Sequence, residues 1–289
     1  MKERLKILAE LTKIRITVFV TVTTVFGFIS AAGELNTEII LPAIGILLLA
    51  CGSAAINHYQ ERVSDGLMER TKHRPLPSKK ITERDTIFIS GVLVISGSIL
   101  IYFSAGLIAL SLGLLNLVWY NLVYTPLKKK TAMAIIPGSL VGAIPPAVGW
   151  VAGGGLINDP QIFILSFFFF IWQIPHFWLL VLVLNKDYEQ GGFPTLTQKF
   201  SQEQLTRITF MWIIATAVTS LLIPLFGLVQ NEVINFGLFI AGCWLSFNSF
   251  KFLMSNREKI SFRFVFKEIN IFALVVVVLL SIDKLFIIF

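Results

Sequence analysis

Charge is scarce in this sequence. Only 14% of its 289 residues are charged while 55% are hydrophobic, and the mean hydropathy is +0.79. A soluble domain of this length could bury a large core but would need a more polar surface. Cysteine is almost missing: Cys51 and Cys243 stand far apart inside apolar runs, which excludes a disulfide framework and zinc-ligand spacing and leaves them as small packing residues. There is no phosphate-binding glycine loop, no nucleophile elbow and no nucleic-acid-binding motif. No cleavable leader is expected, because the first apolar run is as long as a membrane span and lacks a cleavage site.

What the sequence does have is repeated apolar runs of about 20 residues, the length of a spanning helix. They fall at 16–32, 39–57, 86–103, 105–124, 132–153, 162–184, 208–229, 233–252 and 265–288. The third and fourth are separated only by "SAG" at 104–106. The expectation is an all-α polytopic membrane protein, with nine transmembrane helices around a central cavity and a single membrane domain over 1–289. Its loops at 60–85 and 185–205 carry the polar motifs.

A formal net charge of +7 would suit nucleic acid, but its distribution argues otherwise. The segments 2–15, 62–84, 128–130, 186–207 and 251–267 hold all Lys and Arg except Lys284, and nine spans put all five on one side. The opposite connections ("GELNTE", "SAG", "GGGLINDP", "VQNEV") hold none. Cytoplasmic loops are enriched in Lys and Arg, so the N-terminus is expected inside and the C-terminus outside, with no nucleic-acid partner. The inner loops could also meet anionic lipid or an anionic substrate.

Three stretches carry chemistry. In "NHYQERVSDGLMERTKHRPLPSKK" (57–80), Asn57, Glu61 and Asp65 recur every four residues. On a helix they drift by only about 40° per step and share a face. Two carboxylates and an amide oxygen are hard ligands suited to Mg²⁺, which takes one or two carboxylates plus phosphate oxygens and water. Arg70, Lys72 and Arg74 follow and could pair with the phosphate oxygens a metal leaves exposed. The plainer reading, solvated charges at a helix end, suffices for Arg62, Glu69, Lys79 and Lys80. In "WYNLVYTPLKKKTAMAIIPGSLVGAIPPAVGW" (119–150), Lys128 to Lys130 could add cationic charge or simply set topology. Gly138, Gly142 and Gly149 with Pro145 and Pro146 interrupt the next span as a cavity wall would. In "IWQIPHFWLLVLVLNKDYEQGGFPTL" (171–196), His176 lies mid-span behind Pro175, and an ionisable group there is a functional candidate. Asp187 could add a metal or diphosphate contact and Tyr188 a hydrogen bond to substrate; a solvated loop acid is the plainer alternative.

Together these stretches resemble the UbiA superfamily of intramembrane prenyltransferases, and within it the branch that farnesylates protohaem IX. The family pattern Asn-x-x-x-Asp/Glu-x-x-x-Asp-x-x-Met-x-Arg-Thr-x-x-Arg-Pro fits Asn57, Glu61, Asp65, Met68, Arg70, Thr71, Arg74 and Pro75. "YTPLKK", "GAIPPAVGW" and "WQIPHFW…KDY" look like its later signatures. Two departures stand out. Glu61 occupies a position where many relatives carry Asp, and Gly191 stands where the wider superfamily repeats an acid four residues after Asp187, a feature similar to the haem branch.

The resemblance implies transfer of a farnesyl group from farnesyl diphosphate to a vinyl group of haem B, with water added, giving haem O and diphosphate. It implies Mg²⁺ at Asn57, Glu61, Asp65 and Asp187, and diphosphate contacts from Arg70, Lys72, Arg74, Lys128, Lys129 and Tyr188. His176 is implied as a haem or acid–base residue. A bacterial inner membrane, with haem A synthase or terminal-oxidase assembly downstream, would be the setting. The alternatives are an aromatic or quinone-precursor polyprenyltransferase, a transporter with polar groups spread at mid-depth, and a haem-binding chaperone that would leave the diphosphate motif unexplained.

Overall fold

The structure, a computed structural model, describes residues 2–254 and 262–286. Among them there is helix and turn but no strand. The principal helices are α1 (Lys2–Leu11), α2 (Ile14–Ala32), α3 (Ile40–Leu67), α4 (Glu83–Val118), α5 (Leu140–Ala152), α6 (Pro160–Val183), α7 (Asn185–Gln190), α8 (Gln202–Leu222), α9 (Glu232–Met254) and α10 (Phe262–Leu285). A π-helical stretch, Trp119–Tyr124, follows α4. Local chemistry sets several ends. Thr82 accepts from the Asp85 N–H to start α4, Pro160 occupies the first turn of α6, and Ser201 and Gln204 form a reciprocal capping box on α8.

Eight helices among the described residues are long and apolar enough to cross a membrane, against nine runs expected. The difference lies in one element, Glu83–Leu127, of 45 residues, which as a straight helix would far exceed a bilayer. It breaks at Gly106, whose φ of 79° and ψ of −176° are not helical and suit a residue without Cβ. Ser90 and Val94 lie against Gly52 of α3, while Asn121 bonds to the neighbouring Ser53. Both arms therefore run along the same stretch of α3, and the chain reverses at the "SAG" boundary.

The helices pack in a ring: α2 on α3, then α4, α5, α6, α8, α9 and α10, with α10 touching α2. Polarity is inverted relative to a soluble protein. Phe88, Phe103, Leu107 and Phe163 are exposed, whereas Asn57, His58, Glu61, Asp65, Asn121 and Thr125 are buried. That arrangement suits a bilayer as solvent. Of the glycines expected to shape a cavity wall, Gly149 instead seals α5 to α2, where an added Cβ would stand 1.8 Å from the Thr24 carbonyl oxygen. Gly138 faces the Tyr124 ring and Gly142 the Gln173 amide, so the earlier part of that segment borders the aromatic interior. Of the basic segment 251–267, Arg257 and Lys259 lie outside the described residues.

Candidate active site

The last three turns of α3 carry Asn57, Glu61 and Asp65 on one face, and all three are buried. Each meets a cation from a different part of the chain. Lys13, at the α1–α2 junction, donates to Asn57 Oδ1 at 2.6 Å. The Lys128 ammonium lies against Glu61 Oε1. Arg74 Nη1 donates to both oxygens of Asp65 at 2.8 Å. Arg70 Nε reaches Asp187 Oδ2, on α7, at 3.3 Å, which ties α7 to the loop that also carries Arg74. Buried carboxylates are tolerated only when paired in this way.

Local hydrogen bonds fix the donors. The Asn57 Nδ2 donates to Thr125 Oγ1 at 3.0 Å, and Thr125 donates to the Tyr120 carbonyl at 2.8 Å. With its nitrogen committed, the amide turns its oxygen to the cation side. Thr71 Oγ1 donates to the Asp65 carbonyl at 2.8 Å, which ties the start of the "RTKHRP" loop to the end of α3. The π-helical stretch brings Asn121 against Ser53 and Gln60 and delivers Tyr120, Tyr124 and then Lys128 to the site; such insertions are frequent at functional sites.

Below the charged mouth the lining becomes aromatic. Lys128 Nζ sits 5.4 Å from the Tyr124 ring centroid and 5.8 Å from that of Phe193. Tyr124 stacks on Phe177 at 5.9 Å, and Phe177 meets His176 at 5.7 Å. Tyr188 packs on Phe193 at 5.6 Å and shares a small cavity with Tyr124 and Lys128. On the other side of the acids a cavity of about 320 Å³ opens, lined by Lys6, Lys13, Arg70, Arg74, Lys80 and His58 among others. Burial lowers the Lys13 pKa to about 7, with Arg74 and Lys128 acting in the same direction against the pull of Glu61. Burial also works against the charge on Lys128, but Glu61 and the nearby phenols outweigh it and raise the pKa. An anion entering this space would favour the charged form of Lys13.

Two of the expected basic residues sit apart from the acids. Lys72 pairs with its neighbour Glu69 at 2.7 Å on the surface, and Lys129 donates to the Gln60 carbonyl at 3.1 Å. Lys13, His58 and Thr125 were not anticipated as site residues. A basic terminus hides the first and adjacency to Asn57 the second; Thr125 lies within "YTPLKK", where nothing sets it apart from its neighbours.

Four hard-oxygen side chains, Asn57, Glu61, Asp65 and Asp187, each turn an oxygen toward a cation, and oxygens of this kind suit Mg²⁺. Among the described residues no three His, Cys, Asp or Glu side chains lie close enough to hold a metal ion by themselves, so Mg²⁺ here would need phosphate and water oxygens beside theirs.

The profile of the UbiA prenyltransferase family matches residues 19–274. A protoheme IX farnesyltransferase of Oleidesulfovibrio alaskensis is 28% identical over 281 residues, 97% of each chain. One from Nitratidesulfovibrio vulgaris is 32% identical over 239 residues, 83% of each chain. A UbiA homologue from Archaeoglobus fulgidus, solved with GPP and Mg²⁺, shares the fold with a TM-score of 0.70 at 12% identity, covering 95% of this chain and 98% of that one.

Proposed function

The chain belongs to the UbiA prenyltransferase family, and from that premise we propose that it transfers a farnesyl group from farnesyl diphosphate to a vinyl group of protohaem IX. The allylic C–O bond breaks and releases diphosphate, a C–C bond forms to the terminal vinyl carbon, and water adds to the neighbouring carbon with loss of a proton. The product is haem O. The acceptor is supported by the protoheme IX farnesyltransferases to which this chain is similar along its length. We assign the chain to a bacterial inner membrane, from its apolar spanning helices and the bacterial source of those relatives.

The observation that carries the reading is the pairing of both buried acids at the mouth, Glu61 and Asp65, with a cation each, beside the Asn57 amide oxygen that accepts from Lys13. Mg²⁺, when bound, supplies positive charge for the diphosphate and its developing negative charge. Lys13 can then turn from the Asn57 amide, and Arg70, Arg74 and Lys128 from their acids, to the diphosphate oxygens, where Arg gives bidentate contacts. These fixed charges act most strongly in the transition state, as negative charge gathers on the leaving group. Tyr124, Phe177 and Trp172 face the opposite charge: aromatic rings stabilise an allylic cation and keep early water away.

The test is direct. Purified protein in lipid nanodiscs, given farnesyl diphosphate, protohaem IX and Mg²⁺, is expected to yield haem O by mass spectrometry, and chelation of the metal to stop it. A prenylated aromatic acid from 4-hydroxybenzoate, with haem untouched, would overturn the acceptor assignment.

A further inference from the structure

His176 on α6 and Asn270 on α10 meet across the ring of helices, with His176 Nδ1 and Asn270 Oδ1 2.8 Å apart. His176 lies seven residues before the end of its helix at Val183, and Asn270 eight after the start of its own at Phe262. At about 1.5 Å per residue both sit on the order of 10 Å below the charged end, at the foot of the aromatic series that begins at Lys128.

The amide orientation follows from its second contact. Asn270 Nδ2 donates to the Phe266 carbonyl at 2.5 Å. A carbonyl only accepts, so the amide edge facing it is the nitrogen and the edge facing His176 is the oxygen. An amide oxygen also only accepts, so the imidazole hydrogen resides on Nδ1. A neutral imidazole has one N–H, which leaves Nε2 with a free lone pair. The ring itself is held by Trp172 at 4.9 Å, Phe266 at 5.0 Å and Phe177 at 5.7 Å. Phe266 thus serves twice, its carbonyl orienting the amide and its ring steadying the imidazole.

We propose that Asn270 is a positioning residue that holds His176 as the Nδ1–H tautomer, so that Nε2 ligates the iron of the haem acceptor and fixes the macrocycle beneath the farnesyl diphosphate site. A histidine that binds metal through one nitrogen characteristically donates its other N–H to an oxygen acceptor, which sets tautomer, orientation and basicity. No covalent change is involved: the iron gains a ligand and the vinyl edge gains a fixed place relative to the allylic carbon. The inference rests on haem being the acceptor.

The full-length protein in nanodiscs is titrated with protohaem IX and read by Soret absorption and resonance Raman, with haem O formation assayed in the same preparations. Wild type should show an iron–imidazole stretch. His176→Gly should lose it and regain it with added imidazole, a rescue that a misfolded variant cannot give. Asn270→Leu should weaken haem binding roughly 10–100-fold. Asn270→Asp, which accepts the same N–H with a full negative charge, should keep the affinity and shift the iron–imidazole stretch upward. If His176→Gly leaves the haem spectrum unchanged, or Asn270→Leu binds haem with wild-type affinity and the same stretch, the inference is wrong even though wild type makes haem O. If wild type neither binds haem nor makes haem O, the acceptor assignment fails first and takes this inference with it.

Discussion

Asp65 has no solvent exposure and is held on both oxygens by Arg74, so its environment makes it a poor place to separate folding from function. Removing one partner of a buried ion pair costs about 3–5 kcal/mol because the other charge is stranded. Arg70 offers the cleaner probe. Its side chain is 44% exposed and its pair with Asp187 spans 3.3 Å, a type of contact worth about 0–1 kcal/mol. Arg70→Ala is therefore expected to insert and melt like wild type while haem O formation falls by at least ~10²-fold, the scale of losing one preorganised charge contact. Wild-type turnover by this variant would remove Arg70 from the diphosphate site. Lys13→Met, which keeps the length of the side chain, should raise the KM for farnesyl diphosphate about tenfold or more, as loss of a charged hydrogen bond does; an unchanged KM would make Lys13 a clasp for Asn57 alone. The two residues also mark what the sequence could convey. Asn57, Glu61 and Asp65 declare themselves through four-residue spacing within one helix, and Arg70 and Arg74 follow closely. Lys13 stands 44 positions from its partner in a segment whose basicity topology already explains, so only the packing of α2 on α3 reveals it. Asn270, 94 positions from His176, is hidden for the same reason.

At the scale of elements, hydropathy located the spans because each is a long apolar run, and it placed the third boundary at the three residues where α4 reverses. Hydropathy is blind to backbone detail within a run, so the π-helical stretch Trp119–Tyr124 and the closeness of α2 to α5 were out of reach. The seam between those two helices is testable. At Gly149 an added Cβ would stand 1.8 Å from the Thr24 carbonyl oxygen, and at Gly27 2.0 Å from that of Pro146. Backbone cannot swing aside as a side chain can, so Gly149→Ala should force α2 outward at a cost of about 1–3 kcal/mol, typical of overpacking. Gly91, on α4, has no heavy atom within 4 Å of an added Cβ, so Gly91→Ala should be neutral or stabilising by up to ~1 kcal/mol through helix propensity. The fraction of detergent-solubilised protein that stays monodisperse after graded heating measures both. Equal heat tolerance of the two variants would show that the seam yields without cost.

Orientation belongs to the whole molecule, and it turns on the parity of the spans. Eight crossings would leave both termini on one side; a reversal at Gly106 makes Glu83–Leu127 two crossings and puts them on opposite sides. The geometry favours the reversal, since Ser90 and Asn121 both lie beside residues 52 and 53 of α3. Charge favours it as well. Lys13, Arg70, Arg74, Lys128 and Asp187, from four separate segments, meet at one end of the helices, as basic loops sharing the cytoplasmic face would. With Cys51 and Cys243 replaced by Ala, single cysteines at Glu34, Ser104 and Asn231 should react with an impermeant maleimide added outside intact cells. Cysteines at Lys79, Lys130 and Gln198 should react only after the membrane is opened. Labelling of position 104 from the same side as position 79 would mean that the chain does not cross between them, and the basic end could then no longer be a single cytoplasmic mouth receiving diphosphate from water while its prenyl tail stays in lipid.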